Sequence, residues 1–412
     1  MPHIAIFDIG KTNKKLFVFN EDYLIVHEKS EHLPETKDED GHPCEDVKLL
    51  SDWVRNSLKE ILKHADFQIN AVNFSAYGAS FVYLDEQGKI LAPLYNYLKP
   101  YPGNLHRQFY EKYGGETKLA SETASPALGS LNSGLQLYRI KYEQPDIFNR
   151  IKYALHLPQY IAYLISGKYF SEITSIGCHT MLWDFDKNDY HQWIEIEGIV
   201  DKLPPIAQSL ITNHQFPIIG IGLHDSSAAL IPYLSSFKEP FVLLSTGTWN
   251  IALNPFNDNP LTGNELEKDC LCYLSFKGKP VKSSRLFAGH EHEMAIRDLG
   301  LEGESILRFE DAKKLGLAGR KYLGFLKRLV EKQVAALNLV LTPEVSKIFV
   351  DGGFSKNEIF MTLLAEAMPR LDFYAATVAQ ASALGAAVAV HDIWNSKPLP
   401  TNLVGLKKFG TI

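Results

Sequence analysis

The sequence predicts an α/β protein with two similar domains, each a mixed sheet flanked by helices, and a cleft between them. Three observations support this prediction. The chain has 412 residues, which is more than a single hydrophobic core usually serves. Residues 4–19 read as a strand, a tight polar loop and a second strand. Residues 241–253 repeat this layout in the other half of the chain.

The first hairpin carries residue types that suit an anion and a cation. Gly10 lies between two apolar strands, where backbone N–H groups turn outward. Asp8, at the end of the first strand, offers a carboxylate to a divalent cation bound to a phosphate. Donors and positive charge are added by Lys11, Thr12, Asn13 and Lys15. Alone, this pattern also fits an ordinary surface hairpin.

Gly10-Lys-Thr12 is not the phosphate loop of nucleoside triphosphatases. That loop has a glycine five residues before its Gly-Lys-Thr and continues into a helix, whereas this chain has Ala5 and continues into a strand. The second hairpin, with Ser245-Thr-Gly-Thr248 between apolar strands, favours the phosphate interpretation. Two such hairpins, one in each half, predict two domains that face each other across a nucleotide.

Composition excludes several classes of protein. Apolar content of 45% and charged content of 22% are ordinary for a globular protein. The net charge of −6 and the lack of a long basic run argue against nucleic acid as a partner. We see no secretion signal and no run of ~18 apolar residues, so we expect no membrane span and a cytoplasmic protein. The few cysteines predict no disulfide framework, and Cys270 and Cys272 fit alternate strand positions better than a metal site.

Strands and helices are expected in mixed order in the first half. Helical spacing of apolar residues predicts helices over 47–65, 131–142 and 157–165, the last one ending at Gly167. Short strands are predicted at 71–75, 80–84 and 89–94, the last two as a hairpin around the turn 85–88. A polar segment at 28–46 fits a loop or an edge strand.

A proline-rich linker at 202–217 predicts the domain boundary, which gives domains 1–217 and 218–412. The second domain is expected to open with a strand from Ile218 and a helix from Asp225. Further elements are predicted as the hairpin 241–253, a helix over 323–341, a strand from Lys347 to Gly352-Gly353, and helices over 358–368 and 377–390.

Asp225 is the candidate catalytic base. It follows a strand and Gly222 at the start of an apolar helix, so a helix N-cap is the alternative interpretation. As a base it would accept a proton from a sugar hydroxyl that attacks a γ-phosphate. His224 and Ser226 would then hydrogen-bond neighbouring sugar hydroxyls, while a satisfied loop histidine is the alternative for His224.

Two glycine-bearing segments are candidates for the nucleotide. Gly352-Gly353 follows an apolar strand and permits close approach of a ligand, and Asn357 would hold part of the nucleotide. A strand-to-helix turn with Asn357 as a cap fits equally. Gly289 is ambiguous, because the histidines at 290 and 292 lack the i, i+4 spacing of metal ligands on one helix face.

Taken together, these pieces resemble the FGGY family of carbohydrate kinases, within the actin, Hsp70 and hexokinase superfamily. His224-Asp-Ser226 with Gly247-Thr-Trp249 is most similar to the rhamnulokinase branch, with the fuculokinases next. The matching stretches follow the family's order across nearly the whole chain: Phe7-Asp-Ile-Gly-Lys-Thr-Asn13, Leu157 to Gly167 with Glu172-Ile-Thr-Ser175, Gly222-Leu-His-Asp-Ser-Ser-Ala-Ala229, Ser245-Thr-Gly-Thr-Trp249, Val350-Asp-Gly-Gly-Phe-Ser-Lys-Asn357 and Gln380-Ala-Ser-Ala-Leu-Gly-Ala-Ala387.

The resemblance implies two actin/hexokinase-like (ribonuclease H-like) domains and a transfer of phosphate from ATP, with Mg²⁺, to a sugar hydroxyl. It implies Asp225 as the base and Asp8 as a metal-holding residue. The phosphates would be bound by Lys11, Thr12, Asn13, Lys15, Gly247 and Thr248. The adenosine would be framed by Gly289, Gly353 and Asn357. The sugar, a ketose such as L-rhamnulose or L-fuculose, would face Gly78, His224 and Ser226.

The sequence departs from the family pattern at three points. Lys11 stands where the family usually has a small hydroxyl residue. Tyr77-Gly-Ala-Ser80 stands where rhamnulokinases carry Trp-Gly-Val-Asp. The chain is also shorter than most of the family. The altered segment leaves the sugar and its hydroxyl open and supports an alternative, a non-catalytic ATP-binding sensor or regulator on the same scaffold. The oligomeric state, including a homodimer, is open as well.

Overall fold

The computed structural model describes residues 1–212, 217–376 and 380–410. These residues form two compact units. The first unit comprises Met1–Ile231, Cys272–Lys279 and Ser382–Pro400, and the second comprises Pro232–Leu271, Pro280–Ala381 and Thr401–Ile412. None of the helices in these ranges is both long and apolar enough to cross a bilayer.

A six-stranded mixed sheet is the centre of the first unit. Its strands are β1 (Pro2–Ile9), β2 (Lys14–Asn20), β3 (Ile25–Glu31), β6 (Gln68–Ala76), β11 (Ile218–Ile219) and β12 (Leu223–His224). The order is β11-β6-β1-β2-β3, and β12 also pairs with β6. β2 runs antiparallel to both β1 and β3, whereas β6 is parallel to β1 and to both short strands.

Helices and short strand pairs complete the first unit. The strand pairs are β4 (Thr36–Lys37) with β5 (Pro43–Cys44), β7 (Phe81–Leu84) with β8 (Tyr153–His156), and β9 (Trp183–Asp184) with β10 (Asp189–Tyr190). The helices are α1 (Val47–Leu62), α2 (Gly103–Tyr113), α3 (Glu116–Glu122), α4 (Ser133–Glu143), α5 (Pro145–Arg150), α6 (Leu157–Ser166), α7 (Ile173–Ile176), α8 (Gln192–Ile196) and α16 (His391–Trp394). Short 3₁₀ turns lie at Gly129–Leu131 and Val200–Lys202.

Local sequence explains where the main helices of the first unit begin and end. Asp46 caps α1, since its side chain accepts a hydrogen bond from the Leu49 backbone N–H at 2.9 Å. Trp53 of α1 packs edge-on against Phe7 of β1, with ring centroids 5.7 Å apart. Gly167 ends α6 with a φ of 69°, a left-handed conformation that glycine adopts without strain.

A second mixed sheet is the centre of the second unit. Its strands are β13 (Phe241–Thr246), β14 (Asn250–Asn254), β15 (Cys270–Leu274), β16 (Pro280–Leu286), β17 (Lys347–Gly352), β18 (Asp372–Ala376) and β19 (Leu406–Phe409), in the order β15-β16-β14-β13-β17-β18-β19. Its helices are α10 (Gly263–Leu266), α11 (Ala288–Asp298), α12 (Phe309–Lys314), α13 (Gly316–Asn338) and α14 (Glu358–Ala367), with a 3₁₀ turn at Phe354–Lys356. Two helices, α9 (Asp225–Ser236) and α15 (Ala381–Val388), and the strand β15 have residues in both units.

The two sheets share one topology. In each, an antiparallel hairpin is followed by a third antiparallel strand on one side: β1-β2-β3 in the first sheet and β13-β14-β16 in the second. On the other side of the first strand lie parallel strands, β6 and β11 in one sheet and β17 and β18 in the other. This is the ribonuclease H-like arrangement. The predicted α/β class, with two such domains of mixed sheet and helices, is therefore confirmed.

Some sequence-based expectations differ from the structure in detail. After the turn Asp85–Gly88, residues 89–94 make two isolated bridges, Leu84 to Ile90 and Glu45 to Leu94, while β7 pairs along its length with β8. Residues 218–224 pair with β6, which places them in the first unit. The boundary at 217/218 between family domains stays a prediction. Of the helix predicted over 377–390, residues 377–379 lie outside the described residues.

Candidate active site

The turn between β1 and β2 is fixed by a buried lysine. The Gly10 backbone N–H donates to the Asn13 carbonyl at 3.0 Å and closes the turn. Beneath it, Lys14 Nζ donates to the carbonyls of Gly10 and Lys11, both at 3.1 Å. Two of the predicted phosphate residues, Thr12 and Asn13, are exposed, while Lys11 and Lys15 are half-buried. Thr12 and Asn13 therefore face solvent, whereas Lys11 Nζ donates to Glu35 Oε1 at 2.6 Å.

Lys14 belongs to a buried network that the sequence analysis missed. Its ammonium lies 2.7 Å from Glu45 Oε1, and the two side chains are 1% and 4% exposed. Tyr77 Oη donates to Glu45 Oε2 at 3.2 Å. The network joins the turn between β1 and β2 to the segment that contains Gly78. The sequence contained one indication of a buried lysine: Lys14 and Lys15 are adjacent in a strand, so their side chains point to opposite faces of the sheet.

Asp8 lies at the end of β1 and is oriented by a distant serine. Ser382 Oγ lies 3.0 Å from each carboxylate oxygen of Asp8 and donates to them. Burial, and after it the negative charge of Asp225, raises the pKa of Asp8 to about 6. The two carboxylates thus belong to one electrostatic site in the first unit. Hard carboxylate oxygens suit Mg²⁺, which keeps several waters and takes few protein ligands, so this donor set fits that ion.

Asp225 is placed by the pairing of β12 with β6, in which His224 lies opposite Ala76. It is the first residue of α9. Its Oδ1 accepts hydrogen bonds from the Ser226 N–H at 2.6 Å and from Ser226 Oγ at 3.2 Å. An N-cap side chain accepts from the second or third residue after it, whereas this one accepts from the next. Burial raises the pKa of Asp225 to about 6, which suits a base that works near neutral pH.

His224 is neutral and packs against Gly78. Burial lowers the pKa of His224 to about 4. Its Nε2 lies 3.3 Å from Asp225 Oδ1, and its Nδ1 is buried with no hydrogen-bond partner among the residues described. A Cβ on Gly78 would lie 2.8 Å from His224 Cδ2 and Nε2, so only glycine leaves room for the ring there. The structure therefore brings four predicted residues together, Gly78, His224, Asp225 and Ser226.

Three further side chains around His224 had no signal in the sequence. The rings of Tyr273 and His179 lie edge-on to His224, with centroids 5.6 Å and 6.2 Å away. Cys178 Sγ lies 3.7 Å from the Cβ position of Gly78. Because these residues come from separate segments of the chain, only the folded structure places them at this site.

In the second unit, two glycine-bearing turns contact each other. The Gly247 N–H donates to the Trp249 carbonyl at 3.0 Å, and the Gly353 N–H donates to the Thr246 carbonyl at 3.0 Å. Gly352 has a φ of 80°, and its Cβ would lie 1.8 Å from the Thr246 carbonyl oxygen. A side chain at Gly352 would therefore push the two turns apart.

Gly289 joins these turns, while Asn357 has a structural role. The Gly289 N–H donates to the Thr248 carbonyl at 3.1 Å, and a Cβ there would lie 2.0 Å from the Gly247 carbonyl oxygen. Asn357 is 5% exposed and caps α14 by accepting from the Phe360 N–H at 3.0 Å. Its amide also donates to Tyr322 Oη at 3.1 Å. The cap that the sequence left as an alternative is thus present, and contact of Asn357 with a nucleotide stays a prediction.

Two family models match separate parts of the chain. The model of the FGGY family of carbohydrate kinases, N-terminal domain, matches residues 3–230, and that of the FGGY C-terminal domain matches residues 238–310. A rhamnulokinase from Halalkalibacterium halodurans is 25% identical over 256 residues, which cover 59% of this chain and 52% of that protein. A rhamnulokinase from Mannheimia succiniciproducens is 22% identical over 263 residues, covering 60% and 53%. The chain thus spans about half the length of the curated relatives it matches.

Solved structures share the whole fold at low identity. A ligand-bound xylulose kinase from Lactobacillus acidophilus superposes with a TM-score of 0.83 and 16% identity, covering 100% of this chain and 94% of that one. A carbohydrate kinase from Novosphingobium aromaticivorans gives a TM-score of 0.79 and 21% identity, covering 98% and 96%. At such identities the likeness extends to the fold alone.

Proposed function

Because the chain belongs to the FGGY family of carbohydrate kinases, we propose that it transfers the γ-phosphoryl group of ATP to a hydroxyl group of a sugar. For the sugar we propose a ketose such as L-rhamnulose or L-fuculose. The two relatives named rhamnulokinase support this choice of sugar. We propose that the enzyme works in the cytoplasm, where it would use cellular ATP. We also propose a homodimer, which light scattering of the purified protein tests.

The pair Asp8 and Asp225 carries the proposal. Both carboxyl groups have a pKa of about 6, and the charge of Asp225 contributes to the shift of Asp8. Asp225, held by Ser226, would take the proton of the attacking sugar hydroxyl. Asp8, held by Ser382, would orient Mg²⁺, largely through water. When bound, Mg²⁺ neutralises charge on the transferred phosphoryl group.

The remaining residues would position the two substrates. Neutral His224 has a buried ring nitrogen to offer to a sugar hydroxyl, and Ser226 and Gly78 would form the neighbouring wall. In the first unit, phosphate oxygens would be bound by Lys11, Thr12, Asn13 and Lys15. In the second unit, the nucleotide would be bound by Gly247, Thr248, Gly289, Gly353 and Asn357. The contacts among Gly247, Thr248 and Gly289 support this second set.

A second candidate function is a non-catalytic ATP-binding sensor. The segment from Tyr77 to Ser80 favours it, because two of its side chains are committed to the protein itself. Tyr77 Oη donates to Glu45, and Ser80 Oγ donates to the Tyr95 carbonyl at 3.1 Å. Neither side chain can therefore donate to a sugar hydroxyl without breaking its present hydrogen bond.

A kinase assay over a panel of sugars separates the two functions. ADP release would be followed with Mg²⁺, ATP and each of rhamnulose, fuculose, xylulose, ribulose and glycerol. A sugar that raises the rate of ADP release at least tenfold over the rate measured without sugar supports the kinase. ATP binding by calorimetry with no stimulation by any of these sugars would favour the sensor.

A further inference from the structure

A cluster of nitrogen and sulfur ligands lies beside the proposed sugar wall in the first unit. Cys178, His179 and His224 each offer one ligand atom, and these atoms all lie within 4.8 Å of one another. The three residues are 1%, 8% and 3% exposed. Cys178 and His179 follow α7, whereas His224 ends β12. Two separate segments of the fold thus deliver one thiol and two imidazoles to one buried point.

We propose that Cys178, His179 and His224 form a zinc site. Thiolate and imidazole are the ligands that Zn²⁺ prefers, whereas Mg²⁺ takes oxygen ligands. The cluster is therefore a different kind of site from the carboxylate site at Asp8. Three protein ligands leave the fourth tetrahedral position to water.

The hydrogen bonds around the two histidines support this assignment. His224 Nε2 faces Asp225 Oδ1 at 3.3 Å, and its Nδ1 is buried without a partner among the described residues. A histidine that binds metal through one nitrogen usually donates the other N–H to a carboxylate or a backbone carbonyl. His179 matches the second form, since its Nδ1 lies 3.0 Å from the Leu131 carbonyl oxygen. Nδ1 of His224 and Nε2 of His179 are therefore the ligand atoms we assign.

Zinc binding requires one proton loss and a small contraction. Bonds of about 2.0–2.3 Å in a tetrahedron place ligand atoms about 3.3–3.8 Å apart. The ligand atoms are now up to 4.8 Å apart, so side-chain rotations that move them by about 1 Å would bring them to bonding positions. The Cys178 thiol now donates to the Ser175 carbonyl at 3.3 Å. On coordination this thiol releases its proton to solvent and the thiolate binds the ion.

Occupation of the site has a consequence for the kinase, which rests on the proposed function. A zinc ion would take the His224 nitrogen that the proposal gives to the sugar. We therefore expect Zn²⁺ to raise the KM for the sugar while kcat and the KM for ATP change little. Metal binding itself does not depend on turnover and can be measured without any sugar.

The test uses the full-length chain without an affinity tag, freed of metal by a chelator and titrated with Co²⁺ as a spectroscopic substitute. We expect one equivalent of Co²⁺ to bind with a thiolate-to-cobalt charge-transfer band, which one equivalent of Zn²⁺ abolishes. Cys178→Ser should lose the band and bind at least about tenfold more weakly. Cys44→Ser, a buried cysteine of the same unit, is the matched control and should keep both.

Other results overturn the proposal. Wild-type protein without the band, or Cys178→Ser and Cys44→Ser with equal affinities, would mean that this thiol binds no metal. If Cys178→Ser does not fold, His179→Gln should keep the band and weaken binding, and unchanged affinity there overturns the site. If zinc inhibits the kinase without competing with the sugar, zinc does not act by taking the His224 nitrogen assigned to the sugar. Cobalt binding without kinase activity on any sugar would retain the metal site and count against the proposed function.

Discussion

The ammonium group of Lys14 lies 2.7 Å from Glu45 Oε1, and both side chains are buried. A buried charge without its partner is strongly destabilising, whereas a complete pair contributes little net stability. Because Lys14 also donates to the Gly10 and Lys11 carbonyls, the pair fixes the shape of the turn between β1 and β2. Its main role is therefore to define the position of that turn.

Lys14→Met should destabilise the protein by about 3–5 kcal/mol, because it leaves Glu45 buried and unpaired. Urea unfolding measures this loss. Lys15→Met is the control, since Lys15 lies 3.7 Å from a Glu28 side chain that is 47% exposed, and such a pair contributes about 0–1 kcal/mol. Equal losses in the two variants would contradict the role of the buried pair.

Asp225→Asn should lower kcat by about 10²–10⁴-fold, because the amide cannot accept the proton of the sugar hydroxyl. The dissociation constant for ATP should stay within about threefold of the wild-type value, since Asp225 is assigned no contact with ATP. Steady-state kinetics and calorimetry measure the two quantities. Asp201→Asn, at an exposed position, is the control. A kcat for Asp225→Asn within tenfold of the wild type rules out the assigned base.

The same substitution should raise stability at pH 8. The pKa of Asp225 is about 6 in the folded protein against an ordinary 3.8, so between these values the folded state binds more protons than the unfolded state. The contribution of this group to the free energy of unfolding therefore falls as pH rises from 4 to 6. Because the side chain is 36% exposed, we expect a gain for Asp225→Asn of only about 1 kcal/mol at pH 8.

Urea unfolding at pH 8, 6 and 4 measures this pH dependence. The difference between Asp225→Asn and the wild type should shrink towards zero at pH 4, where the wild-type carboxyl group is protonated in the folded state. A variant that is less stable than the wild type at pH 8 would show that the carboxylate is not strained in the folded state.

Ser382→Ala should weaken the response to Mg²⁺. The serine donates to both oxygens of Asp8, and its hydrogen bond lowers the pKa of that group against the effect of burial. Without it the pKa of Asp8 rises further, so the half-saturating Mg²⁺ concentration should rise several-fold at pH 6.5 and less at pH 8.5. Activity measured over a range of Mg²⁺ concentrations checks this. Ser166→Ala, whose hydroxyl donates to the Ala162 carbonyl in α6, should respond as the wild type does.

Gly289→Ala should weaken ATP binding and lower stability. The new methyl group would lie 2.0 Å from the Gly247 carbonyl oxygen, and relief of such a clash typically costs about 1–3 kcal/mol. Calorimetry with ATP and thermal unfolding measure the two effects. Gly263→Ala is the matched control and should be neutral, because an added Cβ there would have no heavy atom within 4 Å other than those of its own residue, its chain neighbours and the backbone of its own helix. Unchanged ATP affinity in Gly289→Ala would separate this glycine from the nucleotide site.

Local patterns predicted the elements that depend on neighbouring residues. Both hairpins occur where two apolar segments flank a short polar turn, at β1-β2 and β13-β14. The strand interpretation of Cys270 and Cys272 is confirmed by β15. Gly167 ends α6 as its position predicted. In each case one short segment carries the whole signal.

Contacts between distant segments of the chain could not be predicted from the sequence. Ser382 reaches Asp8 across 374 positions of the chain, and β7 pairs along its length with the distant β8, while the segment after its turn adds a single bridge to it. Cys178 and His179 reach His224 only when β12 joins β6. These partners have no periodicity that would indicate one another, because their proximity depends on the tertiary fold.

The return of residues Ser382–Pro400 to the first unit has a consequence for protein synthesis. The Asn73 amide donates to the Ala386 carbonyl at 2.8 Å, so β6 stays without this partner while the ribosome makes the intervening second unit. The N-terminal half of a nascent chain would thus expose a sheet face for roughly 8–30 s at ordinary elongation rates of about 5–20 residues per second. During that interval a chaperone has its best opportunity to bind the nascent chain.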